Sequence, residues 1–316
     1  MRSIFLFIWV FFLPLSMSAA LRQVDRKWSQ KMPIPIVSIQ EHYDRGCQAF
    51  YEKNWDKALL NFTIITTHFP ESPFYVDSIF YLGASYYFKE NFDLANQQFD
   101  LYLIQNGTLT HFEKVFDFKY EIVNQYEKGR KKHLFGLSQL PKWSSGKRDI
   151  ILILDEIIAA LPGKEIAAKA LYMKGETFFN KREYRESINC FQILIRRFLR
   201  HSLAADSYVK ISDIYYQQSL YESQNPDLIS LAKVNINKFG KAFPGDERIH
   251  IAEANLIGME EIYAQSLYNT GRFYEKKKKP CASVIYYENA IQKYPMTHGA
   301  QKSKTRLTHI SSLAKV

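Results

Sequence analysis

One spacing recurs along this chain and limits what it can fold into. A small residue is followed twelve positions on by a second small residue, then four later by an aromatic. In two of the four copies a proline follows eight positions after that. Gly46, Ala58, Phe62 and Pro70 form the first copy, and Gly83, Ala95 and Phe99 the second, 37 residues on. Gly175, Ser187 and Phe191 form the third, and Gly271, Ser283, Tyr287 and Pro295 the last. Two antiparallel helices approach closely only where a small side chain from each lies at their crossing. The first small residue therefore belongs to a helix A and the second to a helix B. The aromatic one turn later fills space between neighbouring hairpins. The proline ends helix B, because it lacks an N–H and restricts the residue before it.

A period near the length of two short helices, kept in phase four times, is the pattern of a tetratricopeptide-type solenoid. The expected fold is all-α: a right-handed superhelix of about six helical hairpins. Such stacks hold other polypeptides, so the chain reads first as a scaffold. Its 13 glycines in 316 residues suit a mostly helical chain. With 47% hydrophobic residues it has enough apolar side chains for a long core.

The first twenty residues read as a signal peptide. Arg2 precedes an apolar run over residues 4–13, then Pro14, and Ser18, Ala19 and Ala20 supply small residues for cleavage. The run is shorter than the ~20 residues a membrane span needs. No cysteine follows it at a lipid-attachment position, so the expected mature protein is exported and unlipidated. Cys47, Cys190 and Cys281 each fall within a predicted helix without metal-ligand spacing, and read as small buried hydrophobes, with a disulfide between two of them as the alternative. The formal charge of +10 favours anionic partners such as lipid head groups or acidic protein surfaces. Export argues against nucleic acid.

Residues 21–35, with Pro33 and Pro35, read as a linker, and 36–316 as one repeat domain. Hairpins are expected over 36–68 and 75–105. A third would join 111–126 to 149–160 across an insertion at 128–146. The fourth spans 166–198, and the fifth, over 204–244, carries eight extra residues near its turn. The sixth spans 249–294, and a closing helix follows from 301. If the domain divides, the break should fall in the insertion.

No pattern for chemistry emerges. The eight histidines are scattered, and no HExxH, CxxC, GxSxG or phosphate-binding glycine loop occurs. Glu260-Glu261 and Asp155-Glu156 are neighbours on helices, where adjacent side chains diverge. Neither catalytic residues nor a cofactor or metal site is expected.

The segment Gly271-Arg272-Phe273-Tyr274-Glu275-Lys276-Lys277-Lys278 leads to Ala282-Ser283-Val284-Ile285-Tyr286-Tyr287 and ends at Lys293-Tyr294-Pro295-Met296-Thr297. It resembles the last repeat of the BamD family, helical-repeat lipoproteins of the outer-membrane barrel-assembly machine. Phe69-Pro70-Glu71-Ser72-Pro73 resembles the element that ends that family's first repeat. The same element ends repeats in CpoB, a periplasmic repeat protein of the Tol-Pal system. The insertion and the missing lipid cysteine depart from BamD. The resemblance implies a periplasmic scaffold peripheral to the outer membrane. Its partners would be an Omp85-type barrel insertase or unfolded outer-membrane proteins. A CpoB-like role in envelope or cell-division coordination is the alternative.

Two sets of residues are candidates for contact. Tyr43, Phe50, Phe80 and Tyr87 flank the small crossing residues at helical intervals on helix A, so they face either a concave groove or the inter-repeat core. Arg130, Lys131 and Lys132 in the insertion, and Lys276, Lys277, Lys278 and Lys279 before Pro280, are either solvated turns or contacts to an anionic membrane or partner.

Overall fold

The computed structural model describes residues 34–107, 109–133, 140–223 and 225–313. The expected signal peptide and nearly all of the expected linker lie outside these residues. Among those described, thirteen helices and one two-stranded ribbon form two compact units, which divide between Arg148 and Asp149. The chain is an all-α protein built from tetratricopeptide-type hairpins.

In the first unit α1 (Ile39–Tyr51) pairs with α2 (Trp55–His68), and α3 (Tyr75–Phe88) with α4 (Phe92–Leu103). Helix α5 (Phe112–Glu127) follows, then β1 (Lys131–Lys132) and β2 (Ser144–Ser145). All but the first two residues of α6 (Lys147–Ala160) belong to the second unit. Its hairpins are α7 (Glu165–Asn180) with α8 (Tyr184–Arg197), α9 (Ser202–Tyr221) with α10 (Asp227–Ala242), and α11 (Ile249–Lys276) with α12 (Pro280–Lys293). Helix α13 (His298–Leu313) closes the unit. The extra residues of the 204–244 repeat lengthen α9 to 20 residues as well as its turn.

The recurring spacing has a sharper meaning in three dimensions than on paper. The aromatic of each copy packs on the glycine of its own hairpin. A Cβ added to Gly46, Gly83 or Gly175 would sit 2.8 Å from the ring of Phe62, Phe99 or Phe191 respectively. At Gly271 it would sit 2.5 Å from Tyr287. All four rings are fully buried, as are their small partners Ala58, Ala95, Ser187 and Ser283. Only a residue without a side chain lets a ring lie this close to the facing helix. The same ring also reaches the next hairpin, as expected. Phe62 stacks on Tyr81 at 5.3 Å and Phe99 on Phe118 at 5.3 Å. Burying each ring contributes about 1.5–3 kcal/mol.

The turn between helices repeats as faithfully. Seven residues after each motif glycine stand Lys53, Glu90, Arg182 and Lys278, with φ of 58°, 57°, 62° and 56°. The next amide donates to the carbonyl five residues back, as in Asn54 N to Ala49 O (2.8 Å) and Lys279 N to Tyr274 O (3.0 Å). This left-handed cap satisfies the last carbonyls of helix A and reverses the chain in about three residues. Helix α5 ends the same way at Gly129, φ 85°, the residue type that adopts this conformation without strain.

The insertion at 128–146 is not a simple loop. Lys131 pairs with Ser145 and Lys132 with Ser144 in the antiparallel ribbon, an element the all-α reading did not anticipate. The ribbon is anchored on the start of α4. The His133 amide and its Nδ1 both lie 2.9 Å from the Asp93 carboxylate, in a buried pair. Arg130 bridges Glu90 at 3.2 Å, and Lys142 Nζ donates to the Glu90 carbonyl at 2.7 Å.

Candidate functional site

The four aromatic candidates on α1 and α3 do not share one environment. Phe80 is 3% exposed and lies between Phe99, Tyr102 and Phe118, with His111 stacked on it at 4.0 Å. That is a packing position. Tyr43 is half-buried, stacked on Phe74 at 4.6 Å, and its hydroxyl is pushed above the usual tyrosine range, first by burial. Phe50 and Tyr87 are also half-buried, edge-on to Tyr81 and Phe118 respectively. Around Phe50 the turn side of the first two hairpins carries an aromatic ledge. Trp55 stacks on Phe88 at 4.6 Å, and Tyr51 and Phe88 are exposed.

The basic candidates also divide. Arg130 is held by Glu90, and Lys131 and Lys132 form β1, so these residues hold the ribbon in place. Lys276, Lys277, Lys278 and Lys279 are all exposed on the left-handed turn between α11 and α12.

One concavity in the second unit was not anticipated from sequence. A trough of about 790 Å³ runs along α11 against the C-terminal end of α9, with Leu220, Ile262, Gln265, Asn269 and Phe273 among its walls. A smaller pocket of about 270 Å³ adjoins it through Ser223, Ser266 and Thr270 and reaches Tyr286 and Tyr294. The trough exists because α11, at 28 residues, is longer than the 20-residue α9 that it packs on. Two contacts fix that packing. Ser212 Oγ donates to the Ala252 carbonyl at 3.2 Å, and a Cβ on Gly258 would meet Tyr216 at 2.7 Å. Tyr263 pins the α9–α10 turn by donating to the carbonyls of Glu222 (3.1 Å) and Asn225 (2.5 Å). Burial holds its hydroxyl neutral, pushed up to about 12. Gln265 Nε2 donates to Asn269 Oδ1 at 2.8 Å, so amides alternate with apolar walls along α11. Phe273, 53% exposed, leads directly into the lysine turn, and Lys277 lies 5.8 Å from its ring. Amides with aromatic and aliphatic walls suit the backbone and side chains of a bound polypeptide.

Among the described residues no group of three acidic, histidine or cysteine side chains is placed to hold a metal. The three cysteines are free, and burial pushes the Cys190 thiol up to about 11, which keeps it protonated and unreactive.

The fold and its surfaces define a helical-repeat protein of the tetratricopeptide class, the class whose members present troughs and ledges to other polypeptides. Within that class the chain is similar to BamD. It is 26% identical over 157 residues to the outer membrane protein assembly factor BamD of Rickettsia prowazekii (strain Madrid E). The matched part is 46% of this chain and 58% of that protein, so the chain spans somewhat more than half of the relative's length. No family model matches. Among solved structures, the C-terminal part of a TPR repeat-containing protein from Cytophaga hutchinsonii is 12% identical. It covers 91% of this chain and 94% of its own length, with a TM-score of 0.40. The MamA protein is 16% identical, covers 81% and 91%, and has a TM-score of 0.22. Both scores are too low to bear on the fold, which rests on the helices themselves.

Proposed function

We propose that this protein is a non-catalytic scaffold of the periplasm, peripheral to the outer membrane, that takes part in outer-membrane protein assembly as BamD does. The observation that carries the reading is the sequence likeness to BamD, in a chain built of tetratricopeptide-type hairpins. Its partners are other proteins: an Omp85-type barrel insertase or unfolded outer-membrane proteins. The trough along α11 receives an extended segment of such a partner, and the half-buried Tyr43, Phe50 and Tyr87 with their ledge offer a second contact. The exposed Lys276–Lys279 turn is the surface that meets anionic lipid, at about 1 kcal/mol per basic residue near the head groups.

Affinity purification of the full chain from native envelopes tests the reading. Recovery of an Omp85-family barrel or of unassembled barrel proteins is the expected result. Recovery of Tol-Pal components or cell-wall synthases instead would transfer the protein to the CpoB-like role.

A further inference from the structure

The second unit carries another concavity, separate from the trough along α11. It runs between α8 and α10, over a floor supplied by α9. Two pockets, of about 670 and 270 Å³, are continuous through Gln192, Tyr215 and Leu231. The floor is apolar: Tyr208, Ile211 and Tyr215 are buried there, and Leu231 and Val234 stand on the α10 wall at 47% and 51% exposure. Asn235, on the α10 wall, donates its Nδ2 to the Tyr208 carbonyl at 2.9 Å, and Gln218, at the far end of the α9 floor, donates to Glu222; Asn189, Gln192 and Asn225 add further amides to the lining.

The rim is cationic. Arg196 on α8 and Lys238 on α10 line the same pocket, and Arg185 lines the other end. None of the three forms an ion pair among the described residues, whereas Lys174, Lys210 and Lys233 elsewhere in this unit each do. Among the described residues that line the groove, Glu186 is the one acid.

We infer that this groove docks an amphipathic helix of another protein, about three turns long, with apolar residues against Tyr208, Ile211 and Leu231 and a carboxylate between Arg196 and Lys238. The wall from Arg185 to Arg196 spans about 17 Å at 1.5 Å per residue, the length of about eleven helical residues. A helix satisfies its own backbone groups, so it asks little of a floor made of rings and methyl groups. Charge decides against a second copy of this chain, because each copy carries a formal +10. An acidic partner also gains from steering to the uncompensated cations.

The test uses the full chain and two synthetic twelve-residue helices that share a leucine stripe, one flanked by glutamates and one by lysines. Fluorescence anisotropy should register binding of the acidic peptide only, weakening as salt rises. Leu231→Asp should reduce that binding about tenfold or more. Arg196→Glu with Lys238→Glu should do the same and improve the lysine peptide. Both variants replace exposed residues, and circular dichroism verifies their folding. Asn269→Ala, in the other trough, should leave peptide affinity unchanged, so that this inference and the proposed function fail separately. Equal binding of both peptides, no binding, or indifference to Leu231→Asp would overturn the inference. So would a dimer in sedimentation that Leu231→Asp disperses.

Discussion

The two units solve one packing problem with different strictness. In the first, both complete hairpins carry the glycine–aromatic lock, and the rings pass contact onward: Phe62 to Tyr81, then Phe99 to Phe118. In the second, the outer hairpins keep the lock at Gly175–Phe191 and Gly271–Tyr287, but the middle one, α9 with α10, has none. There Ser212 stands where the glycine would, and it bonds to α11 instead of packing under a ring of α10. Phe239 of α10 stacks on Tyr208 at 5.2 Å nearer the other end of the hairpin. The unlocked hairpin borders every concavity described in the unit.

The comparison can be broken most forcefully at the rings. Phe191→Ala and Phe99→Ala empty fully buried sites and should each cost about 3–5 kcal/mol, read by denaturant unfolding. If either is cheap, the lock is not a structural element. Next come the glycines. Gly46→Ala should cost about 1–3 kcal/mol, since its Cβ would fall 2.8 Å from Phe62. Gly240→Ala, in the unlocked hairpin, meets only the flexible end of Ile249 at 3.2 Å and should gain up to about 1 kcal/mol from helix propensity.

A smaller effect is expected at Glu275, which ties three helices together. It accepts from Tyr287 Oη on α12 (2.8 Å) and pairs with Arg306 on α13. Its pKa is held below the usual carboxylate value near 4.5, first by the Arg306 hydrogen bond. The folded pKa is depressed, so the contribution is present above that usual value and disappears as pH falls through the folded one. Glu275→Gln should therefore lower stability at neutral pH and flatten the acid limb of a melting-temperature profile. The smallest effect belongs to the turns. Lys53→Gly relieves a left-handed residue and should raise stability by about 1 kcal/mol or less, whereas Gly129→Ala should lower it.

Much of this was legible in the sequence because steric rules leave a periodic trace. Gly46, Gly83, Gly175 and Gly271 mark helix crossings, and their spacing to Phe62, Phe99, Phe191 and Tyr287 gives the hairpins in order. Other features leave no local trace. Whether Phe80 faces solvent or core depends on His111 and Phe118, contributed by later parts of the chain. The ribbon depends on His133 meeting Asp93, forty positions away. The α11 trough depends on the unequal lengths of two helices. The extra residues of the 204–244 repeat were visible, but not that they would lengthen α9 as well as the turn.

The central claim is that ring and glycine act as one unit, and a double-mutant cycle tests it most directly. Gly175→Ala is measured alone and again in a Phe191→Leu background, by denaturant unfolding with helicity as the signal. The account predicts a loss of about 1–3 kcal/mol in the native background. With the ring shortened, the substitution should become neutral or stabilising, because alanine then adds only helix propensity. An equal loss in both backgrounds would contradict the account, since the penalty would then owe nothing to Phe191.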